Sequence, residues 1–175
     1  MRTMRISALA DRIDRLTATV GRAAAYLCLA IVGLQFALVV ARYLFGLGSI
    51  WLTETVLYAH GALFLLTAAW TLQAGGHVRV DIFYAEISPR ARARVDLVGA
   101  LLLLLPFMLV LIVLSVPYAA RSWAILERSQ EVSGLPLVYL LKTLIPLFAA
   151  MLALQGVSQA IRAYAVLTAK RRRTR

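Results

Sequence analysis

Three ionisable residues, Glu54, His60 and Lys142, lie inside long apolar stretches of the 175-residue chain. An ionisable side chain at membrane depth is costly, so each is a candidate for an ion pair, a proton site or a substrate site. Arg42 is near the end of the first apolar stretch, Glu54 is about one turn into the second, and Lys142 lies near the start of the fourth. We therefore expect Arg42, Glu54 and Lys142 to meet as a polar staple, either within this protein or to a partner. A substrate or proton site at the same place is the alternative.

The two histidines, His60 and His77, are possible haem ligands. They are 17 residues apart, which is roughly 25 Å along a helix, so they cannot share one iron. We expect His60 to be a buried residue bonded to a neighbouring helix. The chain has no glycine-rich loop ending in Lys-Ser or Lys-Thr, no paired Cys or His at ligand spacing, and no Gly-x-Ser-x-Gly. The sequence therefore predicts no enzyme, no metal, no cofactor and no ATP-driven transport by this chain alone.

The candidate residues lie in four apolar stretches that occupy most of a chain in which 62% of residues are hydrophobic. Each stretch is long enough to cross a bilayer as a helix, which needs roughly 20 apolar residues. The predicted fold is an all-α membrane protein with four transmembrane helices. The membrane domain is 23–161, and its spans are expected at about 23–45, 51–73, 95–123 and 137–161.

Basic residues are distributed unevenly between these spans. Five lie in the first 22 residues, four in the connection between spans two and three, and six from Arg162 onward, against four on the opposite side. Because cytoplasmic flanks retain Lys and Arg, both termini are predicted to be cytoplasmic, and the first span is expected to be a retained anchor rather than a cleaved signal peptide. The net charge of +11 therefore reports topology and not nucleic-acid binding. The basic tail 162–175 is expected to be a solvated topology determinant or a contact for anionic membrane lipids.

The segment 1–22 carries apolar residues three and four positions apart, which predicts an amphipathic helix. One interpretation places this helix on the inner membrane surface or against a partner, because a basic face lies beside the apolar stripe. The other treats it as a cytoplasmic extension of the first span. The apolar stripe consists of Ile6, Leu9, Ile13, Leu16 and Val20.

Local signals mark the ends of two helices. Gly75 and Gly76 follow the second span and are suited to stopping a helix. Ser88-Pro89 is typical of a helix start, with Ser88 as the N-cap and Pro89 in the first helical position.

Prolines and tryptophans mark further features of the spans. Pro106 and Pro117 are the expected kink sites of the third span. Trp51 and Trp123 are expected to anchor their spans at the membrane interface, where tryptophan is favoured.

The connection between spans two and three contains Gly-Gly-His-Val-Arg-Val-Asp at 75–81, followed by Ile-Ser-Pro-Arg-Ala-Arg at 87–92. This connection resembles the inner loop of the small permease subunits (Q subunits, DctQ-type) of TRAP (tripartite ATP-independent periplasmic) transporters. Asp81 is expected to cap a backbone end or to pair with a loop arginine, which would make the motif a fold-determining turn, a contact with a large subunit, or both. The motif residues are Gly75, Gly76, His77, Val80 and Asp81. Further segments that agree with the same family, in order along the chain, are 48–54, 121–127, 134–142 and 154–156.

The resemblance implies a place in the bacterial inner (cytoplasmic) membrane beside two partners, a large M-type permease subunit and an extracytoplasmic substrate-binding protein. It also implies that the large subunit carries the substrate and sodium sites and moves, while the small subunit is a membrane scaffold. Organic acid anions are the expected substrates, and a cation gradient rather than ATP is expected to drive uptake.

A self-sufficient small proton-coupled multidrug-type exporter is the alternative function. It would be a homodimer in which a membrane carboxylate alternately binds a proton and a cation, and Glu54 is the carboxylate that would serve. The position of Glu54 near the membrane interface rather than the midplane disfavours this mechanism. A structural tetraspan protein has no positive signal in the sequence.

Overall fold

A computed structural model of the chain describes residues 2–77 and 87–169, with side chains from Ser7 onward. The described residues are helical almost throughout and contain no strand, which confirms the predicted all-α fold. A π-helical segment, Gly99–Leu104, joins the fourth and fifth α-helices. The α-helices of the described residues are α1 Arg2–Ala25, α2 Leu27–Phe45, α3 Ile50–Gln73, α4 Pro89–Val98, α5 Leu105–Ala124 and α6 Val138–Thr168.

Four helical segments within the described residues are long and apolar enough to cross a membrane, as the sequence predicts. The first combines α1 and α2, which are separated by a single turn residue, Tyr26. The third combines α4, the π-helical segment and α5. The four segments are Ser7–Phe45, Ile50–Gln73, Pro89–Ala124 and Val138–Thr168.

The predicted helix ends are confirmed. Ser88 is the N-cap of α4, where its hydroxyl accepts a hydrogen bond from the amide three residues later at 3.3 Å, and Pro89 is the first helical residue. At the end of α3, Gly75 has a φ of 70°, in the left-handed region that glycine tolerates best. The amide of Gly76 then donates to the carbonyl of Thr71 at 2.9 Å, which closes the helix with a Schellman-type cap.

The third span changes its helical pitch just before Pro106. Proline has no amide hydrogen, so the carbonyl of Leu102 loses its usual α-helical donor. The π-helical segment Gly99–Leu104 precedes this proline, and such a segment often accompanies a break in the α-helical ladder. The helix then continues through Pro117 to Ala124. The disturbance of the span therefore lies at Pro106, and Pro117 does not interrupt the helix.

Helix α6 is the centre of the bundle. It packs against α1, α3, α4, the π-helical segment and α5, whereas α2 packs on α3 and, less extensively, on α1. None of the residues of α2 is buried, so α2 forms one edge of the bundle. A small apolar core lies where α3, α5 and α6 meet, and it consists of Ala69, Met108, Ala149, Met151 and Leu152.

Two glycines permit close approach between helices. A Cβ on Gly156 of α6 would lie 2.7 Å from the Cδ2 atom of Leu104 in the π-helical segment, and a Cβ on Gly21 of α1 would overlap the side chain of Trp70 on α3. Small residues at such crossings are typical of membrane bundles, because lipid provides little hydrophobic drive for one helix to pack on another. Gly21 thereby brings α1 close enough to the bundle for its polar side chains to meet those of α6.

Candidate functional site

The main concentration of buried polar side chains in the described residues lies between α1 and α6. Helix α1 contributes Asp14 and Thr17, which are three positions apart and therefore share one helix face. Helix α6 contributes Gln155, Ser158 and Arg162, whose spacings of three and four also place them on one face. We refer to these five residues as the α1–α6 polar cluster.

Asp14 is the centre of the α1–α6 polar cluster. Its Oδ1 atom accepts hydrogen bonds from the hydroxyl of Ser158 at 2.6 Å and from the side-chain amide of Gln155 at 3.0 Å. Its Oδ2 atom accepts hydrogen bonds from both Nε, at 3.0 Å, and Nη2 of Arg162. Arg162 Nη2 also lies 2.9 Å from Oδ1 of Asp11 at the exposed edge of the cluster. Both carboxylate oxygens of Asp14 are therefore occupied by donors from α6.

Thr17 completes the α1–α6 polar cluster. Its hydroxyl donates to Oε1 of Gln155 at 2.8 Å, so the amide of Gln155 accepts from Thr17 and donates to Asp14. Thr17 and Ser158 are fully buried, and Gln155 is 2% exposed. A buried polar network of this kind is stable only when its members satisfy one another, as they do here. The α1–α6 polar cluster therefore holds α1 against α6 by hydrogen bonds between their side chains.

The sequence pattern alone does not predict the α1–α6 polar cluster. The expected apolar stripe of α1 is only partly buried, because Leu9 and Leu16 are each 50% exposed. The face that packs inward instead carries Ala10, Asp14 and Thr17, three buried residues at spacings of four and three. A signal for this contact is present in the sequence. Asp14 and Thr17 lie on one face of α1 between the small residues Ala10 and Gly21, and α6 carries a row of polar residues at helical spacing.

Glu54 occupies a second polar centre, at the end of the bundle that holds the α2–α3 and α5–α6 connections. Its carboxylate accepts a hydrogen bond from the hydroxyl of Ser129 and another from the backbone amide of Leu135 at 2.5 Å. Gly134 lies directly over it, since a Cβ there would be 2.8 Å from Oε2 of Glu54. Glu54 thus holds the connection 125–137 against α3.

Lys142 pairs with a residue of the same connection and not with Glu54. Its Nζ atom is 2.6 Å from Oε2 of Glu127 and 4.3 Å from the centre of the Tyr118 ring. The hydrogen bond from Lys142 lowers the pKa of the Glu127 carboxyl, because it stabilises the carboxylate form. The structure thus brings Glu54 and Lys142, but not Arg42, to partners in the α5–α6 connection.

The structure does not unite Arg42, Glu54 and Lys142 in one staple. Arg42 is exposed and makes no ion pair within the described residues. It lines a cavity of about 200 Å³ together with Gln35 and Thr53, and it borders a second cavity next to Glu54. Residue spacing predicts that the three residues lie at one end of the bundle. It does not predict that Ser129 and the amide of Leu135 bind Glu54, or that Glu127 binds Lys142.

His60 is exposed, so the expectation of a buried histidine was wrong. The reason is the orientation of α3, whose other faces pack on α1, α2 and α6. His60 lies on the remaining face with Thr53, Leu57 and Phe64, which are also exposed. Among the described residues no hydrogen-bond partner of His60 is found.

The two predicted interface tryptophans are both partly exposed. Trp123 donates from Nε1 to the hydroxyl of Thr143 at 2.8 Å, and its ring meets that of Tyr139 edge-on at 4.5 Å between centroids. Trp51 is in the first turn of α3 and is half exposed. Their place at a membrane interface stays a prediction.

The loop motif is only partly within the described residues. Gly75, Gly76 and His77 are exposed after the end of α3, whereas Val80 and Asp81 lie outside the described residues. The predicted roles of Asp81 therefore stay predictions. The described residues contain no group of three or more His, Cys, Asp or Glu side chains arranged to hold a metal ion.

Comparison with known protein families matches residues 31–166 to the family described as "Tripartite ATP-independent periplasmic transporters, DctQ component". No curated protein and no solved structure matches the chain. The family match covers α2 to α6 almost completely and leaves α1 outside it. The chain therefore belongs to this family of transport components, as the DctQ component, or small permease subunit, of a tripartite ATP-independent periplasmic transporter.

Proposed function

We propose that this chain is the membrane scaffold of a binding-protein-dependent uptake system for organic acid anions in the bacterial inner membrane. In this proposal a large permease subunit carries the substrate and sodium sites and undergoes the transport movement. The small subunit holds that permease in place, with both of its own termini in the cytoplasm. An extracytoplasmic binding protein delivers the substrate.

The observation that carries the proposal is how the acidic and amide side chains inside the bundle are used. Asp14 and Gln155 are bonded within the α1–α6 polar cluster, and Glu54 is bonded to the connection 125–137. A transport site needs polar groups that can exchange partners with an ion or a substrate. These three instead fasten helices and a loop to one another, as a scaffold requires.

The arrangement of Glu54 gives no support to the multidrug-exporter alternative. That mechanism needs a carboxylate that alternates between a proton and a cationic substrate. Both oxygens of Glu54 accept hydrogen bonds from the chain itself, so proton or cation exchange there would disrupt the fixed loop.

Reconstitution tests the proposal directly. Proteoliposomes would contain the chain alone, the large permease alone, or both, together with the purified binding protein and an inward sodium gradient. The probe is the radiolabelled organic acid anion that most raises the melting temperature of the binding protein. We expect uptake only when both membrane subunits are present. Sodium-driven uptake by the chain alone, or full uptake by the large permease without it, would overturn the proposal.

A further inference from the structure

The hairpin of α2 and α3 presents a polar surface away from the rest of the bundle. Along α3, the residues Thr53, Leu57, His60 and Phe64 are exposed, at spacings of four, three and four. This repeat places them in one nearly straight row, the pattern by which a helix packs against a partner helix. All four side chains are exposed, so no helix of the described residues covers this face of α3.

Helix α2 adds a second polar row beside the first. Gln35 and Arg42 are both exposed and are seven residues, or two turns, apart. They share a cavity with Thr53, which shows that their side of α2 adjoins the exposed face of α3. Arg42 and Thr53 line the same cavity near the α2–α3 connection. Because α2 and α3 are antiparallel, counting seven residues from each along its helix, away from the connection, places Gln35 level with His60.

Two polar rungs therefore cross this face of the hairpin. The first contains Arg42 and Thr53, near the α2–α3 connection. The second contains Gln35 and His60, about 10 Å further along the helices at ~1.5 Å per residue. His60 is the eleventh residue of the 24-residue α3, so the second rung is near the middle of a membrane-spanning segment.

Lipid cannot satisfy these groups. Acyl chains offer no hydrogen bonds, and polar side chains at membrane depth normally face protein or a water-filled cavity. Among the described residues Gln35, Arg42 and His60 have no hydrogen-bond or ion-pair partner in the chain itself. Gln35 and His60 lie near the middle of the span, so a second protein surface is what would satisfy them. Arg42 lies nearer the α2–α3 connection, where it borders a cavity that Glu54 and Glu131 also line.

The charge of the surface favours a different chain over a second copy. Two copies inserted with the same topology and paired through this face would bring Arg42 against Arg42, and like charges at close range are repulsive. A partner helix with a carboxylate or another acceptor at that level would pair with the guanidinium, which carries only donors. Gln35 and His60 can each donate and accept, so they fit a polar side chain of either kind.

We propose that Gln35, Arg42, Thr53 and His60 form the docking surface for a transmembrane helix of the large permease subunit, with a hydrogen-bond acceptor of that helix at the level of Arg42. This inference rests on the proposed function, because it takes the large permease as the partner. It adds the face of the small subunit that the partner covers.

Photo-crosslinking with a matched control tests the docking surface. The photoreactive residue p-benzoylphenylalanine replaces Leu57, which is 60% exposed between the two rungs, or Leu114 on α5, which is 66% exposed on another side of the bundle. Each variant is co-expressed with the large permease and irradiated in membranes. We expect a crosslink to the large permease from position 57 and none from position 114. A crosslink from position 57 to a second copy of the chain, a crosslink only from position 114, or no crosslink from position 57 would overturn the docking surface.

Paired substitutions provide a second measurement. Gln35→Leu combined with His60→Leu removes two exposed polar groups, so the chain alone should keep its elution profile and melting temperature in detergent. Loss of two interhelical hydrogen bonds should weaken association with the large permease roughly tenfold, measured by titrating one purified subunit against the other. Unchanged affinity would contradict the proposal.

The two proposals fail in different ways. If the wild-type chain supports uptake and binds the large permease while position 57 gives no crosslink, the docking surface is wrong and the scaffold function stands. If the wild-type chain neither binds the large permease nor supports uptake, the scaffold function is wrong and the docking surface falls with it.

Discussion

Replacement of Asp14 by alanine should detach α1 from the bundle. The carboxylate accepts hydrogen bonds from Ser158, Gln155 and Arg162, which all belong to α6. Alanine removes every acceptor at once and leaves the donors in place. We therefore expect the largest loss of stability from this position among the polar residues of α1.

The magnitude follows from the burial of the donors. Ser158 and Gln155 are 0% and 2% exposed, and each interhelical hydrogen bond lost inside a membrane bundle costs about 0.6–1.7 kcal/mol. The side chain of Arg162 is 54% exposed, so water can solvate it and its pair with Asp14 adds less than about 1 kcal/mol. The Asp14→Ala variant should therefore be destabilised by about 1–4 kcal/mol.

Trp70 offers a local probe for this change, because its side chain packs against Gly21 of α1. The chain has three tryptophans, so Trp51→Phe and Trp123→Phe leave Trp70 as the single emitter. Unfolding would be followed by fluorescence during titration with sodium dodecyl sulfate in mixed micelles. The Asp14→Ala variant should show a transition at lower denaturant, with a red-shifted emission that marks the departure of α1.

Asp11 provides the matched control. It pairs with the same Arg162 at 2.9 Å, but its side chain is 55% exposed, so Asp11→Ala should cost less than about 0.5 kcal/mol. Asp14→Asn keeps one acceptor oxygen for the buried donors and should lie between the two. If Asp14→Ala is no more destabilising than Asp11→Ala, the α1–α6 polar cluster does not hold α1 and the reasoning is refuted.

Three further predictions concern other contacts. Glu54→Ala should speed hydrogen exchange at the backbone amide of Leu135 by roughly 10–100-fold, since a hydrogen bond to a charged group is worth about 1.5–3 kcal/mol. The exchange rate is measured by mass spectrometry. An unchanged rate would show that Glu54 does not hold the connection 125–137. Gly156→Ala should lower the melting temperature, because overpacking a tight contact costs about 1–3 kcal/mol. Gly33→Ala, with open space around it, is the control and should not lower it. Equal effects would contradict the close approach of α6 to the π-helical segment at Gly156. The pKa of Glu127 is lowered by Lys142 in the folded state, so this pair should stabilise the fold above the ordinary carboxyl pKa and lose its effect as pH falls through the lowered pKa. Unfolding of wild type and Glu127→Gln across pH should therefore converge in acid, and a difference that persists or grows there would exclude the pair as its source.

The sequence predicts the local features of this fold well. The Ser88-Pro89 start and the Gly75-Gly76 stop depend on neighbouring residues alone, and both match the structure. The four spans follow from apolar stretches of sufficient length. Such features need no knowledge of which helices meet.

Contacts between residues far apart in the sequence cannot be predicted from local signals of this kind. Asp14 and Arg162 are 148 residues apart, and only the crossing of α1 over α6 brings them together. The predicted burial of His60 is wrong because the sequence does not reveal which face of α3 points away from the bundle. Glu54 was expected in a staple with Arg42 and Lys142, but its bonds go to the connection 125–137, whose fold depends on tertiary packing.

The scaffold role is the central claim, and uptake by the two membrane subunits measures it most directly. Proteoliposomes that contain the large permease, the binding protein and a sodium gradient should take up the radiolabelled organic acid anion only after this chain is added. Uptake of equal rate without the chain, or uptake by the chain in the absence of the large permease, would contradict the account.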